Sequence, residues 1–340
     1  MTRITPRSAL LFALLATAAV GLAACGSEED LVDPSATVAG ETTSTPPATS
    51  AAADPPTTEV APPDTTAPPE TTATDEGTAE SVTGIAYDTS PDAVVLRLSS
   101  GGGFVPMEIA FLEVPQLVVY GDGRVITVDT SVQPDFANLP ATPPLLERHL
   151  DEDGMQALLL AAQEHGLFEE PAPDYGQPNV TDMPGTSLSI AANGTTANHS
   201  VYALGFDDPA VFDDPASGIT QDQQAARKEL SAFIDEALDL DTLAAAHVSA
   251  PEPYVPERLG VRRFEVLDDT TAGGQIERQP WPAAAGDPPA KDVCTVVSGP
   301  EAAAIAEAFA NAGSNDRWTL SGVEFRALAR PILPGESETC

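Results

Sequence analysis

The chain has 340 residues, with 52 Asp and Glu against 15 Lys and Arg, a formal charge of −37, and only 5% aromatic residues. Affinity for phosphate rests on clustered Lys and Arg, so this balance excludes nucleic acid as a partner and disfavours anionic lipid headgroups as an electrostatic one. The length allows two domains without demanding them.

Arg3 and Arg7 precede an apolar run from Ala9 to Ala24 that ends in Leu22-Ala23-Ala24-Cys25. A basic start, a short apolar stretch and small residues before a polar switch at Gly26-Ser27-Glu28 make residues 1-24 a signal peptide. Its end resembles a bacterial lipobox, in which cleavage before the cysteine leaves a lipidated Cys25. The other reading, an uncleaved anchor, is short of the ~20 residues that cross a bilayer as a helix. Export places the remaining cysteines, Cys294 and Cys340, where disulfides persist, and two thiols there most simply pair. Closing the loop between them is worth about 4 kcal/mol in chain-entropy terms. A catalytic or metal-binding role finds no support, since no CxxC occurs and no His lies at ligand spacing.

Residues 25-80 read as a lipid-anchored stalk. From 26 to 80 the chain holds 13 Thr, 9 Pro and 12 Asp plus Glu, with no Lys, Arg or aromatic residue. Such a segment buries too little apolar surface to offset the entropy of ordering it, which predicts disorder. A flexible-coil estimate gives about 40 Å of reach, lengthened by the prolines. A spacer is the plain reading, and the Thr-rich composition also suits a glycosylated stalk.

From residue 81 aromatic and basic residues return, and residues 81-248 read as an α+β domain. Strand-like Ala93–Leu98, a Gly101-Gly102-Gly103 loop and strand-like Met107–Leu112 come first. Gln116–Tyr120 and Arg124–Val128 flank Gly121-Asp122-Gly123, where Asp-Gly predicts a hairpin with a type I′ turn. A helix follows over 152–165, with Asp151 as N-cap and Gly166 as the stop. Ser187–Ala191, Asn193-Gly194 and Thr195–Leu204 make a second hairpin. Thr220 and Gln223 have capping-box spacing ahead of a helix over 221–238. The chain turns loop-like at Pro251, Pro253 and Pro256, and residues 249-340 read as a C-terminal α+β subdomain closed by the disulfide. Within it, Val261–Leu267 and Val293–Val297 are strand-like, a helix runs from about 300 to 312 with Ser298 as cap, and 318–329 return as a strand or hairpin. The fold class is α+β, an antiparallel sheet of hairpins with helices packed on one face.

Gly-Gly-Gly-Phe-Val-Pro at 101–106, Tyr-Gly-Asp-Gly-Arg-Val-Ile at 120–126, and Arg-Pro-Ile-Leu-Pro-Gly-Glu at 330–336 with the closing Cys340 resemble a set of uncharacterised actinobacterial cell-envelope lipoproteins. The similarity spans about 93 to 340 and includes the order of hairpins and helices. It implies an address and an architecture but no activity, and the cysteine positions agree with the pair such proteins carry.

Catalytic motifs are absent: the sequence has no GxSxG, SxxK, HExxH or GxxxxGK[ST]. Gly101-x-Gly103 meets Pro106 where a dinucleotide loop needs a third Gly and precedes an expected strand, which removes that reading. The four histidines, His149, His165, His199 and His247, are scattered, in a loop, at a helix end, in a strand and near a helix terminus, and His165 reads as a cation near a helix C-terminus. Asp207, Asp208, Asp213 and Asp214 repeat as Asp-Asp-Pro in one loop, a calcium candidate set against a plain solvated turn. No other cofactor is implied. Asp151-Glu152-Asp153 suits a helix N-terminus, where negative charge is favourable.

These features lead to a lipoprotein on the outer face of the cell membrane, attached through its anchor, that binds an envelope protein or glycan without catalysis. The alternative is an exported hydrolase whose carboxylates are scattered in sequence and meet in space. Limited proteolysis of the full chain is expected to clip within 26–80 first and leave a resistant core beginning near residue 81. Slow amide exchange throughout the stalk would contradict the expected disorder.

Overall fold

Antiparallel pairing builds both sheets of this protein. The computed structural model describes residues 84–132, 139–205, 218–266, 276–337 and 340. The chain divides into Met1–Glu76 and Gly77–Cys340, and all the described residues belong to the second unit.

The first sheet contains β1 (Val94–Gly101), β2 (Leu117–Tyr120), β3 (Arg124–Val128), β4 (Leu145–His149), β5 (Gly185–Ala192), β6 (Thr195–Tyr202) and the short β7 (Glu252–Pro253). Their order is β6-β5-β1-β2-β3-β4-β7. The second sheet contains β8 (Arg258–Phe264), β9 (Arg278–Pro280), β10 (Cys294–Ser298), β11 (Arg317–Leu320) and β12 (Val323–Pro331), in the order β10-β8-β12-β11-β9. Among the described strands only β9 and β11 pair in parallel. The helices are α1 (Met107–Leu112), α2 (Glu152–Glu164), α3 (Gln221–Leu238), the single turn α4 (Leu240–Leu243) and α5 (Gly299–Phe309). The α+β class read from the sequence is the one observed, with two sheets.

Local chemistry sets most of these boundaries. Asn193 (φ 53°) and Gly194 (φ 74°) both adopt the left-handed conformation, which a type I′ turn requires, and Ala192 pairs with Thr195 across it. The β2–β3 hairpin differs from its expected type I′ turn. Its loop holds Gly121, Asp122 and Gly123, only Gly123 has positive φ (88°), and Gly123 N–H closes a turn on Tyr120 O at 3.0 Å. One left-handed residue at the end of a three-residue loop is enough to return the chain. Asp151 caps α2 by accepting from Gly154 N–H at 3.0 Å. Thr220 and Gln223 form the full capping box of α3, with bonds of 2.9 and 3.3 Å. Ser298 stands at the N-cap of α5, opposite Arg258 in the β10–β8 ladder, but makes no side-chain cap bond.

Two further expectations are corrected. Met107–Leu112 is helix, not strand. β1 and β2 pair directly and β1 also pairs with β5, so no edge is left for an intervening strand. Pro106 fixes the entry, and its carbonyl accepts from Ile109 and Ala110 N–H at 3.0 Å each. His149 ends strand β4 rather than lying in a loop.

Alternation sorts the side chains into three cores. Leu96, Leu98, Leu117 and Val119 face Leu158, Leu159 and Ala162 of α2 and Leu230, Phe233 and Ala237 of α3. Val118, Tyr120 and Ile126, on the opposite face of the same sheet, pack on Leu333. β2 is therefore buried along its whole length. The third core joins α5 to the second sheet, with Phe309 stacked on Trp318 at 4.6 Å and Trp281 edge-on to Trp318 at 5.9 Å. Among the described residues no helix is long and apolar enough to cross a membrane.

Phe309 is fully buried in this aromatic cluster. Phe309→Ala should cost about 3–5 kcal/mol of unfolding free energy. Urea denaturation followed by tryptophan fluorescence measures it, since both tryptophans lie in that cluster; a loss below about 1 kcal/mol would show that the cluster repacks.

Candidate functional site

In β1 the core-facing Leu96 and Leu98 leave Arg97 between them on the other face of the strand, opposite Val118 of β2. In β12, Arg330 stands opposite Gly260 of β8. Beyond β12, Ile332 and Leu333 are buried, and the chain turns with Glu336 N–H donating to Leu333 O at 3.1 Å. The Tyr120 hydroxyl donates to Pro334 O at 3.1 Å and pins this turn to the first sheet.

Glu336 is thereby carried between the two arginines. Its Oε1 accepts from Arg97 Nη2 and, at 3.0 Å, from Arg330 Nη2, while its Oε2 accepts from Leu333 N–H at 3.0 Å. Arg330 Nε also donates to Glu113 O at 2.8 Å, which ties the end of α1 to the same place. The Glu336 side chain is only 8% exposed. Burial pushes its pKa up, but the Arg97 and Leu333 hydrogen bonds and the two guanidinium charges outweigh burial and hold the carboxyl below the usual glutamate range.

This triad lines a cleft of about 420 Å³. Ala110 and Phe111 of α1, Ser337 and the disulfide cysteine Cys340 supply the rest of its wall. Cys294 and Cys340 are joined, with Cα atoms 6.0 Å apart, as the pairing of exported thiols led us to expect. The bridge lies against Gly260, where a Cβ would stand 3.0 Å from Cys340 Cβ and 3.1 Å from its Sγ, so only glycine gives it room.

The remaining candidates fall elsewhere. Cys25, the stalk and the calcium candidates Asp207, Asp208, Asp213 and Asp214 lie outside the described residues. His199 is a satisfied core residue, bonded to the Tyr175 hydroxyl at 2.6 Å and Leu167 O at 2.9 Å. His165 ends α2 and lies 2.9 Å from Glu229 and 3.5 Å from Glu236, beside a smaller cavity of about 280 Å³. Asp151, Asp153 and His247 bring three ligand atoms within 4.8 Å of one another on the surface. The Asp151 bond raises the pKa of His247, and the Gly154 N–H followed by His247 lowers that of Asp151, so each favours the charged form of the other at this helix start.

Among the described residues, every carboxylate whose pKa is displaced is displaced downward. Ser90 does this to Asp88, Gly176 N–H to Asp174, Arg148 to Asp241 and Lys291 to Glu265. A general acid needs the opposite shift. No protein-family model, curated protein or solved structure matches the chain, so the site stands on its own geometry.

The sequence reading did not single out Arg97, Gly260 or the Arg330–Glu336 pairing. A signal for Arg97 existed, one charged residue alternating with leucines in an otherwise apolar strand. Arg330 and Glu336 were visible only as the two ends of Arg-Pro-Ile-Leu-Pro-Gly-Glu.

Glu336→Gln should lower stability at pH 7 by about 1.5–3 kcal/mol, the worth of hydrogen bonds to charged groups. Because the folded pKa lies below the ordinary 4.5, the wild-type advantage is full above that value and is lost as pH falls through the depressed one. Urea midpoints from pH 7 to pH 3 should therefore converge in acid; a constant gap would show that the charge of Glu336 plays no part.

Proposed function

We propose that the chain is an extracytoplasmic lipoprotein, held to the outer face of the cell membrane through Cys25, whose folded part is a non-catalytic binding module for an envelope component. The observation that carries this reading is the Cys294–Cys340 bridge, because such a bond persists in an oxidising compartment and not in a reducing one. It agrees with the Leu22-Ala23-Ala24-Cys25 end of the leader and with a Thr- and Pro-rich stretch suited to act as a spacer. The resemblance to actinobacterial envelope lipoproteins points to the same address.

Binding is favoured over catalysis by the chemistry of the cleft. Its one side-chain carboxylate already accepts from two arginines and from Leu333 N–H, and these partners lower its pKa, the opposite of the shift a general acid needs. Guanidinium groups at the edge of an open cleft bind anions instead.

Mass spectrometry of the membrane fraction is expected to find an acylated Cys25 and no peptide from residues 1–24. In Cys25→Ser the acyl mass should vanish and the leader should remain. Recovery of the intact leader on the wild-type protein would sink the anchored reading.

A further inference from the structure

We propose that the cleft between β1 and β12 binds an organic monocarboxylate that carries an apolar group, with the acid on Arg97 and Arg330 and the apolar part against Phe111 and the disulfide. This rests on the reading of the folded part as a binding module, and it names the ligand class.

The donors come first. A guanidinium has five N–H donors. Among the described residues Arg97 donates a single bond, from Nη2 to Glu336, and Arg330 uses Nε and Nη2 but not Nη1. Both residues line the cleft, and the Arg97 side chain is 32% exposed, so it is reachable from solvent without unfolding the triad. The same sheet face also carries Arg262, opposite Cys294, whose buried Nε has no partner.

Charge then selects the anion. Among the described side chains that line the cleft, two guanidiniums face one carboxylate and leave one positive charge, which suits a monoanion. A phosphate dianion would meet the Glu336 carboxylate a few ångströms away in a partly desolvated site, where like charges repel strongly. Glu336 itself shows that a carboxylate oxygen can bridge the two arginines here, through one bond from each Nη2.

Shape and apolar surface supply the rest. A volume of about 420 Å³ lies within the range of small-molecule sites, roughly 300–1,000 Å³. Phe111, held edge-on to Phe264 at 6.1 Å, and the exposed Ala110 give one apolar side, and Cys340 gives another. A free acid and the C-terminal end of a peptide offer the same chemistry.

Titration calorimetry on the full chain in detergent tests this with 4-phenylbutyrate as the free acid and N-acetyl-Ala-Phe as the peptide end. At least one should bind saturably, and which one does identifies the source. The uncharged 4-phenylbutyramide should give no heat, and inorganic phosphate should bind more weakly than the better acid. Arg97→Gln should weaken that acid at least tenfold. Ala110→Trp, at an exposed position outside the triad, should block the cleft and weaken it at least tenfold without touching the arginines. Equal binding of acid and amide, tighter binding of phosphate, wild-type affinity in either folded variant, or no saturable heat from either acid overturns the proposal. If the chain binds neither acid but still captures an envelope protein or glycan, the module reading stands and only the cleft assignment falls.

Discussion

A carboxylate that is 8% exposed costs several kcal/mol to desolvate, and Glu336 is stable there only while all three of its partners are in place. Those partners come from three parts of the chain: Arg97 from the first sheet, Arg330 from the second, and Leu333 N–H from the turn between β12 and Glu336 itself. The triad is formed only when both sheets have the right register and are brought together. A one-residue slip of β12 would turn Arg330 to the other face of its sheet and leave a buried charge with half its compensation. Leu333 and Tyr120 add apolar and hydrogen-bonding contact at the same junction, so the ionic tie does not stand alone.

Where structure is decided within a few residues, it was legible. Asn193-Gly194 specifies its turn because both residues tolerate positive φ, and Thr220 with Gln223 specifies a helix start because each side chain satisfies the other's backbone. α1 shows the limit. Met107–Leu112 is an apolar six-residue run whose composition does not choose between helix and strand, and the choice is made by β1 and β2 closing on each other. β4, β7 and β9 were missed for a related reason: each is short, and each exists because a neighbouring strand offers it an edge.

The candidate site divides in the same way. The disulfide was legible by parity, since two thiols in an oxidising compartment need no knowledge of topology to be paired. The Arg97–Glu336 contact spans 239 positions, and although Glu336 ends the Arg-Pro-Ile-Leu-Pro-Gly-Glu segment, no local pattern joins it to Arg97. Gly260 illustrates the point further. Inside a strand a glycine normally weakens pairing, and its reason appears only once Cys340 is laid across it.

The distribution of charge connects the fold to the proposed chemistry. A chain of net charge −37 has few cations to place, yet β8, β9, β11 and β12 carry seven arginines between them. Arg317 and Arg326 are buried there, Arg326 facing Glu108 of α1 at 3.5 Å, and Arg330 reaches Glu336. The described arginines of this sheet thus act largely as internal ties, while the acidic excess of the sequence makes the chain self-repelling. At physiological salt that surface field decays over about 8 Å, whereas a guanidinium in the open cleft acts at hydrogen-bond range. Under the proposal, repulsion from the acidic chain disfavours polyanions more than a small monoanion. The acidic exterior and the arginine-lined interior therefore favour the same ligand, one with a single negative charge and an apolar body.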